Sequence, residues 1–185
     1  MLTVSTVSVI IPVHNQERYI GRCLRSILNQ SLDRESYEVV VVNDGSTDRT
    51  LDGLHHFLGD IRLLENPDCL GLPASINKGI KEARGQFVVR LDSDDYVHSD
   101  FLKLLMMHLR MNSNFDAIAT DYLLIDDHEN ILDQVNCTDK PIGCGVMFRI
   151  EQLIDIGLYD ESFLSREDED LRIRFLGSVD EFFMN

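Results

Sequence analysis

Along the first half of the chain, short apolar runs alternate with stretches whose apolar residues recur every three or four positions. Residues 7–13 (VSVIIPV) form a β-branched run broken by Pro12 and read as a buried strand. Residues 18–30 follow, with Ile20, Cys23, Leu24, Ile27 and Leu28 on one helical face. Residues 38–42 give a second buried strand, and Thr47 or Asp48 is placed to cap a helix running through Leu58. Residues 61–64 read as a third strand, and 72–83 as a helix with Leu72, Ile76 and Ile80 at intervals of four. Residues 87–91 make a fourth strand, and Ser99 is expected to cap a helix ending near Arg110. Strands separated in this way by helices require right-handed crossovers, hence a parallel sheet covered on both faces.

The second half is less regular. Residues 117–120 and 122–125 read as strands, 126–130 as a polar turn leading into a strand at 131–135, and 143–149 as a further strand. Short helices are expected at 150–156 and 167–176. There is no internal repeat, low-complexity tract or linker, so the expectation is a single α/β domain over residues 1–185.

Composition narrows the partners. Seventeen basic against thirty-two acidic residues give a formal charge of −15, which opposes binding to nucleic acid or to an anionic membrane surface. The same charge repels an anionic ligand unless a cation or local basic groups intervene. Cys23, Cys69, Cys137 and Cys144 show no CxxC pair or metal-finger spacing, which favours reduced thiols and a cytoplasmic location. No basic leader or bilayer-length apolar run is visible. Peripheral association with membrane enzymes and homodimer formation stay open.

In an open parallel sheet, ligands bind beyond the carboxyl ends of the strands. Those ends are followed here by His14 and Asn15; by Asn43, Asp44, Gly45 and Ser46; by Glu65 and Asn66; and by Asp92, Ser93, Asp94 and Asp95. Five carboxylates are thereby expected on one edge. Unneutralised, the Asp92–Asp95 group is costly, and a divalent Mg²⁺ or Mn²⁺ ion would resolve the repulsion while bridging an acidic protein to a diphosphate. A solvated acidic loop is the plain alternative for so short a motif. Asp44 suits either turn chemistry or a contact with a base or ribose. In REDED, residues 166–170, mutual repulsion among carboxylates opposes the attraction of a helix N-terminus, and taken alone this reads as a charged first turn.

The runs VSVIIPVHNQERYIGRCLRSILNQ, EVVVVNDGSTDRT and NPDCLGLPASINKGIKEARGQFVVRLDSDD, with GCGVMFRIEQLIDIGLYDESFLSREDEDLRIRF later, closely resemble the family 2 inverting glycosyltransferases of the GT-A nucleotide-sugar fold. The resemblance implies an α/β fold with a nucleotide-binding part over about residues 1–95 and a mixed acceptor-side part over about 96–185. By position, it makes Pro12, Val13, His14, Asn15 and Glu17 the first donor-binding loop, although the family more usually has an aromatic residue before the Asn. Asp44 matches the acid contacting the base, and Gly71, Asn77 and Lys78 line the nucleotide site. Ser93 lies within the motif formed by Asp92 and Asp94, the pair implied to bind the divalent cation and diphosphate. Asp168 matches the catalytic base. The implied reaction moves a sugar, UDP-linked by expectation, to a glycan or lipid-linked acceptor in one inverting displacement. The chain ends sooner after Leu176 than such proteins usually do, which leaves open a nucleotide-sugar-binding module acting with a partner enzyme. A phosphatase or nucleotidyltransferase is disfavoured, because HNQE after the first strand offers neither DxD nor a Gly-rich basic loop.

Overall fold

The computed structural model describes residues 6–178 and the backbone of residues 183–184. Its elements in chain order are β1 (Val7–Val13), α1 (Ile20–Leu28), a 3₁₀ turn (Arg34–Ser36), β2 (Tyr37–Asp44), α2 (Thr50–His55), β3 (Arg62–Asn66), α3 (Leu72–Lys81), β4 (Phe87–Arg90) and α4 (Phe101–Met111). There follow β5 (Ala117–Ala119), β6 (Tyr122–Ile125), β7 (Ile131–Val135), β8 (Met147–Arg149), α5 (Ile150–Asp155), α6 (Glu167–Leu176) and β9 (Phe183–Met184). The main sheet has the order β3-β2-β1-β4-β8-β5-β9, and β6 and β7 form a separate antiparallel hairpin.

The β1–β2, β1–β4 and β2–β3 pairs are parallel, and β8 runs antiparallel to both β4 and β5. Strand alternation splits the core in two. Val7, Val9, Ile11 and Val13 pack against Ile20, Leu24 and Ile27 of α1 and Leu102, Leu105 and Leu109 of α4. Ile10, Val40 and Val88 face the opposite way, against Ile76 and Ile80 of α3, Leu153 of α5 and Leu171 of α6. This is the expected mostly parallel sheet with helices on both faces. No helix among the described residues is long and apolar enough to cross a membrane.

The strand order reverses between β1 and β4, and Pro12 helps to open that point. The Ile10 carbonyl accepts from Leu91 N–H, so even-numbered residues of β1 turn their backbone groups towards β4. Pairing on that side stops at Ile10↔Arg90, whereas pairing with β2 continues to Val13↔Asn43. The missing N–H of Pro12 therefore faces the crevice and interrupts no ladder.

Several boundaries differ from expectation for identifiable reasons. Helix α1 begins at Ile20 rather than 18, because residues 16–19 form a turn in which Tyr19 N–H and Ile20 N–H both bond the Gln16 carbonyl; the amides of Asn15, Gln16 and Glu17 are taken by Ser46 Oγ, Thr50 Oγ1 and Asp48 Oδ2. Asp48, not Thr47, meets the start of α2 by accepting from Thr50 N–H, and that helix stops at His55. Strand β2 extends to Asp44 and β3 to Asn66, so Glu65 and Asn66 lie within a strand; α3 stops at Lys81, two residues short of expectation. Ser99 caps nothing: α4 starts at Phe101 after Asp100, and the Ser99 carbonyl accepts from Ser31 N–H. Only Met147–Arg149 of the strand expected at 143–149 is formed. The amides of Gly143 and Gly145 bond instead to Asp168 Oδ2 and the Arg90 carbonyl.

Helix α3 lies close on the sheet because Gly79 has no side chain. A Cβ there would stand 2.4 Å from Ile10 Cγ2 and 3.3 Å from Val42 Cγ2. We expect Gly79→Ala to destabilise the fold by about 1–3 kcal/mol in urea titration, although Ala is the better helix former. Gly59→Ala, where a Cβ meets nothing within 4 Å, is the neutral control.

Candidate functional site

Two adjoining depressions lie on the edge where the parallel strands end, the first beyond β1, β2 and β4 and the second beside the end of β5 and the start of β8. The first, about 360 Å³, is lined by Pro12, Val13, His14 and Gln16 after β1, Asp44 from β2, Cys69, Gly71, Leu72 and Ser75 at the head of α3, and Arg90, Asp92, Ser93 and Asp94 after β4. The second, about 240 Å³, is walled largely by apolar groups of Ile142, Val146, Phe148, Leu171 and Phe175, with Gly143, Cys144, Tyr159, Asp168 and Arg172 also facing it. Arg90 and Gly143 stand at the boundary between them.

Asp44 organises the outer end of the cleft. Its Oδ1 accepts from Asn66 Nδ2 (2.7 Å) and Leu70 N–H (2.9 Å), and its Oδ2 accepts from Gly71 N–H (2.9 Å) and the Cys69 thiol (3.3 Å). Burial works to raise this carboxyl, but the hydrogen bonds from Asn66, Leu70, Gly71 and Cys69 outweigh it and hold it below the ordinary aspartate value. His14 Nδ1 donates to the Asp44 carbonyl (2.7 Å), and its Nε2 faces the Asn15 amide at 3.1 Å.

The inner end is built around a buried arginine. Arg90 Nε and Nη2 hold the two oxygens of Asp92 at 2.6 and 3.1 Å, and Nη1 reaches Glu167 Oε1 at 3.2 Å. The side chains of Arg90 and Glu167 are each 9% exposed and largely closed to water, whereas Asp92 is 29% exposed at the cleft. The buried Tyr159 hydroxyl feels the same guanidinium. It is pushed up to about 12, by burial first and then by the charges of Asp92 and Asp168, with Arg90 opposing. Glu167 opens α6, and Asp168 follows it. Asp168 Oδ2 accepts from Gly143 N–H at 3.1 Å, and Oδ1 from Glu169 N–H at 2.9 Å. A Cβ on Gly143 would meet Asp168 Cβ at 2.8 Å and Arg90 Nη1 at 3.0 Å, so only glycine allows this approach.

The sequence-derived residues are partly brought together. Pro12, Val13, His14, Asp44, Gly71, Asp92, Ser93 and Asp94 share the cleft. Asn15 and Glu17 brace its rim, accepting from Thr47 and Arg49 N–H. Asn77 is a buried staple to Tyr159, donating to its carbonyl and accepting from its amide, and Lys78 Nζ is held by the Glu65 carbonyl and Asn66 Oδ1. Neither Asn77 nor Lys78 faces the cleft, and Glu65 does not join the carboxylates expected there.

The chemistry at the end of β4 fits a hard cation. Carboxylate oxygens of Asp92 and Asp95 and the Cys144 sulfur lie within 4.8 Å of one another, and Asp94 is exposed at the cleft. Burial, then the charges of Asp92 and Asp94, raise the Asp95 carboxyl against a hydrogen bond from Cys144. Burial raises the Cys144 thiol well above its usual range, and a hard cation takes oxygen rather than sulfur. Arg90 already answers part of the charge on Asp92, and each of that residue's oxygens keeps acceptor capacity beyond the arginine bond. Arg90, Glu167, Tyr159 and Gly143 escaped the sequence reading. An arginine inside the buried run FVVRL was itself a signal, since a buried charge demands partners.

The fold and its cleft are of the GT-A type. The family model described as glycosyl transferase family 2 matches residues 8–135. The chain belongs to that family. The poly(ribitol-phosphate) β-glucosyltransferase of Bacillus spizizenii is 39% identical over 100 residues, covering 52% of this chain and 16% of that protein. Glycosyltransferase GlyA of Streptococcus pneumoniae is 38% identical over 133 residues, 71% of this chain and 19% of that one. Among solved structures, Staphylococcus aureus TarS 1–349 in complex with UDP superposes with TM-score 0.84 at 23% identity, over 97% of this chain and 57% of that one. Mannosyltransferase PcManGT of Pyrobaculum calidifontis, in complex with GDP-Man and Mn²⁺, gives 0.79 at 24% identity, over 97% and 54%. The chain thus spans less than a fifth of these two sequence relatives and little more than half of the two structures.

Because Asp44 is held low in the fold, it contributes stability that is fully present above the unfolded aspartate pKa of about 3.9 and is lost as pH falls through the depressed folded value. We expect Asp44→Asn to cost about 1–3 kcal/mol at pH 7, since an amide NH₂ would face backbone donors. The variant should also lose less stability than the unaltered chain on acidification below about pH 4. Urea titrations at pH 7 and pH 3 check both.

Proposed function

We propose that the chain carries the donor-binding and catalytic site of an inverting glycosyltransferase, acting on a nucleotide-diphosphate-sugar, UDP-linked by preference. One observation carries this reading: the aspartates after β4 and the acid Asp168 lie in adjoining cavities, joined through Arg90 and Gly143. Family membership supports the chemistry, and the UDP and UDP-GlcNAc complexes of TarS support the donor class.

The cleft between β1 and β4 takes the nucleotide, with its base towards His14, Asp44 and Gly71 and its diphosphate towards Asp92 and Asp94. Asn15 and Glu17 hold the first loop in place, and Asn77 and Lys78 support the nucleotide site from behind. Asp92 and Asp94, with Asp95 beside them, would hold Mn²⁺ or Mg²⁺. That ion supplies charge neutralisation for the departing diphosphate.

Asp168 is placed to accept the proton of the acceptor hydroxyl as its oxygen bonds to the anomeric carbon and the sugar–phosphate bond breaks. A single displacement needs no second carboxylate as nucleophile. The mostly apolar cavity around Asp168 receives the acceptor, a glycan or lipid-linked hydroxyl.

UDP with Mn²⁺ is expected to raise the melting temperature, and Asp94→Ala to abolish that gain. Asp168→Asn should keep the gain but slow hydrolysis of UDP-glucose or UDP-GlcNAc on the order of a hundredfold or more. A melting temperature unmoved by UDP or GDP, with or without Mn²⁺, would falsify the reading.

A further inference from the structure

Arg90 connects parts of the site that the sequence keeps far apart. Its nitrogens hold Asp92, just past β4, and Glu167, in the first turn of α6, while its strand position is fixed by pairing with Ile10. Asp168 is the next residue along α6, and its carboxylate is tied to Gly143 N–H. The space a Gly143 Cβ would take is bounded by Asp168 on one side and Arg90 Nη1 on the other. The first acid of DSDD and the acid at the base position are therefore each set by reference to one guanidinium.

The geometry points to Arg90 as a positioning residue: we propose that its planar fork fixes the Asp92 carboxylate relative to the helix bearing Asp168, coupling the cation end of the site to the proton-accepting end. This rests on the nucleotide-sugar reading above. The fork matters as well as the charge. A lysine ammonium is a single point of donation and cannot hold both oxygens of Asp92 edge-on while also reaching Glu167. Arg90 touches no reacting atom in this account. Its nitrogens are committed to Asp92 and Glu167, and it acts through these two.

The test compares Arg90→Lys and Glu167→Gln with the unaltered chain. UDP affinity is measured by calorimetry with and without Mn²⁺, and Mn²⁺-dependent hydrolysis of UDP-glucose and UDP-GlcNAc is followed across pH. Arg90→Lys should reduce the gain in UDP affinity given by Mn²⁺ by about ten- to a hundredfold and weaken metal-free UDP binding far less, since the base end is held by Asp44 and the positive charge is kept. Glu167→Gln, which keeps the Asp92 pair, should preserve the Mn²⁺ gain but lower turnover by about tenfold or more. If Arg90→Lys does not fold, Glu167→Gln decides alone: lost turnover with the Mn²⁺ gain intact supports the coupling, and unchanged turnover overturns it. The proposal is also overturned if Arg90→Lys keeps both the Mn²⁺ gain and turnover, or loses metal-free and metal-dependent binding in equal proportion, as a merely structural residue would. An unaltered chain showing no Mn²⁺ gain refutes the nucleotide-sugar reading itself, a separately recognisable outcome.

Discussion

A guanidinium held out of water has to be answered by carboxylates, and in this chain that requirement ties the two halves of the fold together. Arg90 belongs to the parallel part of the sheet, and Glu167 to the helix that closes the irregular part. Removing one partner from such a buried pair costs about 3–5 kcal/mol, because the remaining charge is stranded. The pair is a geometric commitment as much as a source of stability. It places α6, and with it Asp168, against the end of β4, and it lets Gly143 pass between them only because Gly143 has no side chain.

The rest of the cleft follows from strand order. Reversal between β1 and β4 leaves a crevice at their carboxyl ends, Pro12 keeps that crevice free of a ladder bond, and Asp44 gathers residues 69–71 around its carboxylate to form the far wall. One end of the crevice is thus rich in committed hydrogen bonds and the other in negative charge. Among the described residues, Asp94, Asp95 and Asp168 form no salt bridge. A strongly acidic protein that is to hold a diphosphate needs a cation there, and this is the physical core of the proposed activity.

Much of this was legible in the residues. The β-branched runs at 7–13 and 38–42 and the periodic stretches at 18–30 and 72–83 pointed to the parallel sheet, because burial on both faces leaves an unambiguous pattern. The loops after β1, β2 and β4 then placed most cleft residues without knowledge of contacts. What was hidden had tertiary causes. Residues 18 and 19 look helical but belong to a turn on the Gln16 carbonyl, and residues 143–146 look extended until Asp168 and Arg90 claim their backbone. Asn77 and Lys78 carry polar groups that the family resemblance assigns to the nucleotide site, yet their partners here are Tyr159, Glu65 and Asn66. Arg90 was visible as an anomaly in FVVRL, but its partner Glu167 stands 77 residues away and no local pattern links them.

The central claim is that a divalent ion sits on the aspartates after β4 while Arg90 keeps its hold on Asp92. Anomalous diffraction from a crystal containing UDP and Mn²⁺ examines it most directly. The account predicts a manganese peak at roughly 2.0–2.3 Å from carboxylate oxygens of the Asp92–Asp95 group, with the Arg90 fork still closed on Asp92. Manganese bound elsewhere, or an Arg90 side chain displaced from Asp92 by the ion, would contradict it.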